Sequence, residues 1–144
     1  MQLAAAFSAA VFSVACGAAD SSDDGATADT SFAAIRGTVF QPACTPACHA
    51  GGEFAAGGLD LSKDAYSALI DAPAMAAACK PTGMKRVVPG KPEQSLLYLK
   101  IQSKLDATDA PCGEVMPAGV DRPALSAADV ARVRAWIEAG APND

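Results

Sequence analysis

Large side chains are scarce in this sequence. Five Phe, two Tyr and one Trp are the only aromatic residues among 144 positions, and much of the other apolar content is alanine. A chain of this length forms one domain. A small domain with so few large apolar side chains usually needs a further stabilising element, such as disulfides, a metal ion or a large bound apolar group.

Positive charge is also sparse. No Lys or Arg precedes Arg36, and the chain has 11 basic and 16 acidic residues, for a net charge of −5. The lack of a basic excess excludes nucleic acid as an expected partner. Six bases nevertheless cluster over residues 80–104, with Glu93 as the only acid there. This cluster predicts either a solvated helix face and loop or a positive docking patch for an acidic partner protein; its members are Lys80, Lys85, Arg86, Lys91, Lys100 and Lys104.

Long apolar runs are absent, apart from Leu3–Val14 in an uncharged start. That run has the length of a signal-peptide core and is too short to cross a membrane. Residues 13–17 (SVACG) resemble a bacterial lipobox, in which Cys16 would be lipidated after cleavage. Cleavage by an ordinary signal peptidase is the alternative.

The following segment has no large apolar side chain and cannot order itself by burial. We therefore predict a signal peptide over residues 1–15, a lipid-anchored flexible acidic tether over 16–31 and a domain over 32–144. The protein would lie outside the bacterial cytoplasm, in the periplasm or at the cell surface, and the lipid on Cys16 would be its only attachment to a membrane.

Histidine occurs once, at His49, directly after Cys48 and five residues after Cys44. A cysteine pair followed by histidine is the sequence mark of covalent haem attachment, in which the thiols add to the haem vinyl groups and the imidazole binds the iron. The three residues between these cysteines are one more than in the common pattern. Two alternatives stay open. One is a local disulfide between Cys44 and Cys48, and the other is a structural zinc site completed by Cys79 and Cys112.

Apolar residues recur at helical spacing in four segments, and no strand pattern of any length occurs. The sequence therefore predicts an all-α domain with long loops. We expect a first helix from Phe32 that Pro42 ends or kinks, and a second after Ser62 as N-cap. We expect a third from Pro92, and a fourth from a capping box at Ser126 to Gly140.

The order of several short motifs is distinctive. After the cysteine–histidine motif come residues 57–62 (GGLDLS), 86–97 (RVVPGKPEQSLL), 116–117 (MP) and 136–141 (WIEAGA). Over residues 32–142 this order resembles that of single-haem, class I-type c cytochrome domains of bacterial secreted and surface proteins. The resemblance implies a small cytochrome c-like helical bundle with long loops around one covalent haem. It also implies electron transfer, with His49 and Met116 as axial ligands of the haem iron.

A methionine ligand also follows from the residues themselves. One histidine cannot supply two imidazole ligands, and a thioether is a soft, neutral ligand that raises the potential of the iron. The candidates are Met75, Met84 and Met116. Pro117 keeps Met116 out of helical geometry, on a loop before the last helix, and we favour it. Packing in the core is the ordinary alternative for a methionine.

The remaining cysteines form a pair. With Cys16 assigned to lipid, and Cys44 and Cys48 to haem, Cys79 and Cys112 are predicted to form a disulfide in an oxidising compartment.

The leading hypothesis is a single-electron carrier with one haem c, an acidic redox partner and no catalytic residue or turnover of its own. A non-redox extracytoplasmic domain held by disulfides or zinc is one alternative. An open-site haem enzyme or gas sensor is another, although the sequence offers no second histidine for acid–base chemistry.

Overall fold

The computed structural model describes residues 29–144. The predicted signal peptide, the lipidation site Cys16 and the tether up to residue 28 lie outside the described residues. Across residues 29–144 no helix is long and apolar enough to cross a membrane.

Within residues 29–144, four α-helices make up most of the regular structure. They are α1 (Phe32–Ile35), α2 (Ala65–Leu69), α3 (Leu96–Asp106) and α4 (Ala127–Glu138). In the described part of the chain no strand forms, and only isolated bridges occur, at Ile70–Val87, Pro73–Lys85 and Lys85–Ser95. The described chain is therefore helix-rich and compatible with the all-α class that the sequence predicts.

A π-helical segment, Arg36–Cys44, continues α1 without a break. Pro42 lies inside it rather than at its end. Proline cannot donate the usual helical hydrogen bond, and the ladder here spans five residues, with Thr45 N–H donating to Phe40 O at 2.9 Å. The helix therefore continues past the proline to Cys44, with π-type hydrogen bonding. π-helical turns are often found at functional sites.

Helix α2 begins later than the sequence indicates. The predicted N-cap Ser62 is wrong, because its hydroxyl donates to the Asp60 carboxylate at 2.5 Å. Asp64 caps the helix instead, accepting a hydrogen bond from Ser67 N–H at 3.2 Å. Aspartate and serine are equally favoured at the N-cap. Asp64 therefore takes this role, while the Ser62 side chain is bonded to Asp60.

Helix α3 is also shorter than predicted. Pro92 begins a separate 3₁₀ turn, Pro92–Gln94, and the α-helix starts at Leu96. Between them, the buried Ser95 hydroxyl donates to Lys91 O at 2.9 Å and accepts from Val88 N–H at 2.8 Å. These bonds give Ser95 an extended backbone that separates turn from helix.

Both predicted ends of α4 are confirmed. Ser126 Oγ accepts a hydrogen bond from Asp129 N–H at 3.1 Å, and its hydroxyl donates to the Asp129 carboxylate at 2.7 Å. At the other end Gly140 has a φ of 95°, a left-handed conformation that glycine adopts without strain.

The main core lies where α1 and α3 pack against α4. At its centre, the Phe32 ring lies 5.4 Å from Trp136 and 5.2 Å from Tyr66, between ring centroids. A second, smaller cluster contains Cys79 and Cys112, which are joined in a disulfide with a Cα–Cα distance of 5.1 Å. Apart from the exposed Phe54, the aromatic residues of the described chain thus belong to the main core, and the disulfide supports a cluster without aromatic side chains.

Candidate functional site

An apolar cavity of about 280 Å³ lies between the two clusters. Ligand pockets in proteins begin at about this size, roughly 300 Å³. Its wall combines Leu59, Leu61, Leu69, Leu96 and Ile101 with all four predicted cofactor-binding residues: Cys44, Cys48, His49 and Met116. The fold therefore brings Met116 to the same cavity as a motif that lies far from it in sequence.

The local backbone places the motif on the cavity wall. The π-helical segment ends at Cys44, and His49 N–H then donates to Cys44 O at 3.1 Å. The main chain of the loop that follows returns to the motif, with Ala56 N–H donating to Cys48 O and Leu61 N–H to His49 O, both at 2.8 Å. Both cysteines and the histidine are thus held by backbone hydrogen bonds on one side of the cavity.

The His49 imidazole has a defined partner. The side chain is 9% exposed, and Nδ1 lies 3.2 Å from the carbonyl oxygen of Leu59. A carbonyl only accepts, so Nδ1 carries the hydrogen and Nε2 keeps its lone pair. Burial lowers the pKa of His49, the nearby positive charge of Arg86 acts the same way, and the hydrogen bonds oppose it. The lowered pKa favours the neutral imidazole, which carries its hydrogen on Nδ1 and a lone pair on Nε2.

Asp60 fastens the loop that supplies this partner. Its carboxylate accepts hydrogen bonds from Gly52 N–H at 2.7 Å, and from Ser62 N–H at 2.8 Å and the Ser62 hydroxyl. These bonds to the charged form hold the pKa of Asp60 below its ordinary value. Asp60 follows Leu59 directly, so it fixes the carbonyl that orients His49. In the sequence Asp60 is only one letter of a short motif, and its role could not be predicted from it.

The two motif cysteines are unpaired thiols. Cys44 and Cys48 are half-buried and are not joined to each other. Burial, and secondarily the neighbouring Cys48, raises the pKa of the Cys44 thiol to about 11. The structure therefore does not contain the local disulfide that was one alternative.

The zinc alternative also loses its ligand set. It required Cys79 and Cys112 as thiolates, and these are the two sulfurs of the disulfide. Among residues 29–144, no group of three or more His, Cys, Asp and Glu side chains could hold a metal ion.

The three candidate methionines differ in their positions. Met84 packs against the smaller cluster and does not line the cavity. Met75 and Met116 both line it, but Met75 is 48% exposed. Met116 is half-buried, packs against the main core, and its N–H donates to Lys100 O at 3.1 Å. The better-fixed thioether is therefore that of Met116.

Four of the six side chains in the basic cluster form ion pairs or hydrogen bonds with other parts of the protein. Lys85 pairs with Asp71 at 2.7 Å, and the Arg86 guanidinium donates to the carbonyls of Ala68 at 2.8 Å and Gly58 at 2.9 Å. The ammonium groups of Lys100 and Lys104 also donate to backbone carbonyls. Lys80 and Lys91 are exposed. A docking patch stays a prediction, now limited mainly to those two side chains.

The cavity thus collects two thiols, a neutral imidazole and a thioether in apolar surroundings, with Arg86, Lys100 and Arg122 on its lining. No family model, curated protein or solved structure matches this chain.

Proposed function

We propose that this protein is a single-electron carrier with one covalently attached c-type haem in the apolar cavity. The observation that carries the proposal is the convergence of Cys44, Cys48, His49 and Met116 on that cavity. The first three are adjacent in sequence, but Met116 reaches the site only through the tertiary fold.

The residues present fit this group. Both thiols are unpaired, so each S–H could add across one vinyl double bond and form a thioether without an oxidant or reductant. His49 Nε2 has a free lone pair, because Nδ1 donates to Leu59 O. The apolar walls suit a large flat macrocycle, and the cationic groups of Arg86, Lys100 and Arg122 suit its carboxylates. When bound, haem supplies a one-electron couple between ferric and ferrous iron.

The chain's own residues would set how that couple behaves. His49, fixed by a carbonyl hydrogen bond, would keep its orientation in both redox states. The Met116 thioether would favour the reduced metal, and the apolar surroundings would do the same, because ferric haem carries the larger charge. His49 and Met116 would together hold the iron and leave no site on it for a substrate, so turnover by the protein itself is not expected.

We also propose the finer architecture, a small cytochrome c-like helical bundle. Three features support it. The motif follows directly on the first helix, at the end of Arg36–Cys44. Helices α1 and α4, from the two ends of the described chain, pack together. The loop that carries Met116 joins α3 to α4.

The placement outside the cytoplasm and the lipid on Cys16 are part of the same proposal. Covalent haem attachment and a disulfide between Cys79 and Cys112 both suit an oxidising compartment. A partner for electron exchange would be a protein, and Lys80 and Lys91 are the exposed cationic side chains that an acidic partner would contact.

Denaturing mass spectrometry tests the haem directly. Protein produced in a host with periplasmic cytochrome maturation should show a Soret band and retain one haem mass after unfolding. A variant with both Cys44→Ser and Cys48→Ser should lose that covalent mass, whereas Cys79→Ala with Cys112→Ala should keep it. A denatured wild-type chain of bare mass would overturn the proposal.

A further inference from the structure

The loop that carries Met116 has no regular structure of its own. Residues 107–126 connect α3 to α4 without a helix or strand. A thioether that must reach one point in the cavity cannot be placed by such a loop unless something outside it fixes the backbone. The contacts that do so come from one face of α3.

Lys100 binds the loop at three points. Its ammonium group donates to Cys112 O at 2.6 Å and to Glu114 O at 2.5 Å. Its own main-chain carbonyl accepts the hydrogen bond from Met116 N–H at 3.1 Å. The side chain is half-buried and lines the cavity. Lys100 alone therefore makes hydrogen bonds to two residues shortly before Met116 in the chain and to Met116 itself.

Lys104 lies one turn further along α3, on the same face. Its ammonium group donates to Gly119 O at 3.0 Å. The two lysines thus hold the loop on both sides of Met116, at residues 112 and 114 before it and at residue 119 after it. A lysine ammonium has three donors and no acceptor, which suits it to gather several carbonyls.

The disulfide by itself does not fix the backbone at Met116. It fixes Cys112 to Cys79, but Met116 lies four residues further along a loop without internal structure. Gly113 has a φ of 58°, and an added Cβ there would lie 3.6 Å from Lys100 Nζ. The chain therefore turns closely around the ammonium group just after the disulfide.

We propose that Lys100 and Lys104 are positioning residues that clamp the Met116 loop and so hold the thioether at the cavity wall where it can bind iron. The inference rests on the proposed function. In this proposal, two lysines of the basic cluster position the iron ligand and do not serve to bind a partner protein. Charge-assisted hydrogen bonds are stronger than neutral ones, and the one from Lys100 to Cys112 O is partly buried, so their loss should be felt at Met116.

The test compares Lys100→Leu with Lys91→Leu in the full-length haem protein. Leucine removes the charge without adding a sulfur that could bind iron in place of Met116. Both variants lose one positive charge from the same cluster, but Lys91 is exposed and its side chain holds no loop carbonyl in residues 29–144. In Lys100→Leu, we expect loss of most of the near-infrared methionine–iron band and new carbon monoxide binding in the ferrous state. Exchange of the Met116 amide hydrogen should be about tenfold faster or more, the scale of one lost charge-assisted hydrogen bond. Lys91→Leu should match wild type.

A second variant keeps the test decisive if Lys100→Leu does not fold. Lys104→Leu removes only the exposed Gly119 contact and should give a partial loss of the band with only a small drop in the thermal midpoint. A lysine that only stabilises the fold would lower the midpoint without changing the ligand band.

The possible failures are distinguishable. A wild-type protein without a Soret band would overturn the proposed function. A wild type with the Soret band, and Lys100 and Lys104 variants that match Lys91→Leu in ligand band and amide exchange, would overturn the clamp alone.

Discussion

We expect the disulfide between Cys79 and Cys112 to contribute a large part of the free energy of unfolding. Both residues are buried, at 1% and 8% exposure, in the smaller cluster away from the aromatic core. The double variant Cys79→Ala, Cys112→Ala removes the bond without leaving a polar atom in that cluster. We expect it to fold, but with a much lower free energy of unfolding.

The magnitude follows from the length of the closed loop. The two cysteines are 33 residues apart, and the loop entropy removed from the unfolded chain corresponds to about 4 kcal/mol. Domains of this size have a total stability of about 5–15 kcal/mol, so the loss is a large fraction. With a urea m-value of about 2 kcal/mol per M, the unfolding midpoint should fall by about 2 M.

The assay is urea unfolding monitored by circular dichroism, with the proposed haem kept in the ferrous state in every sample. A thiol reductant then changes only the disulfide of wild type and not the oxidation state of the iron. The reduced wild type keeps both sulfurs and should unfold near the midpoint of the alanine variant, which separates the bond from the packing of the sulfur atoms. The reasoning would be refuted if the reduced wild type and the alanine variant both had midpoints within about 0.5 M of the disulfide-bonded wild type. Peptide mapping that finds Cys79 and Cys112 as alkylatable thiols would also refute it.

Three further predictions concern the site and the membrane. Met116→Ala should abolish the near-infrared band, lower the reduction potential and open the ferrous iron to carbon monoxide, whereas Met75→Ala, on the same cavity, should not; the reverse result would make Met75 the ligand. Asp60→Asn should destabilise the protein, and because the pKa of Asp60 is lowered in the fold, the difference from wild type should be full above pH 3.8 and shrink as pH falls through the folded value; a difference independent of pH in urea titrations would contradict this. Cys16→Ser should move the protein from the membrane to the soluble fraction, and a wild type that is already soluble would end the lipoprotein hypothesis.

Local chemistry was readable from the sequence. Ser126 and Gly140 bound α4 because capping depends on residue types a few positions apart. Phe32 and Phe40 are buried as their helical spacing predicts. The grouping of Cys44, Cys48 and His49 needed no tertiary information, since adjacency in sequence places them together. Even here the π-helical form of Arg36–Cys44 was not predictable, because apolar spacing does not distinguish helix types over so short a segment.

The tertiary structure decided which distant groups meet. Leu59 O is the partner of His49, and the carbonyls around Met116 are the partners of Lys100 and Lys104. Every residue carries a carbonyl, so no residue type marks the ones that will be used. The sequence left the basic cluster as a solvated face or a docking patch, while the fold turns two of its lysines toward a loop. Side-chain type determined what each group can donate or accept, and only the path of the chain determined which carbonyl lies within hydrogen-bonding distance.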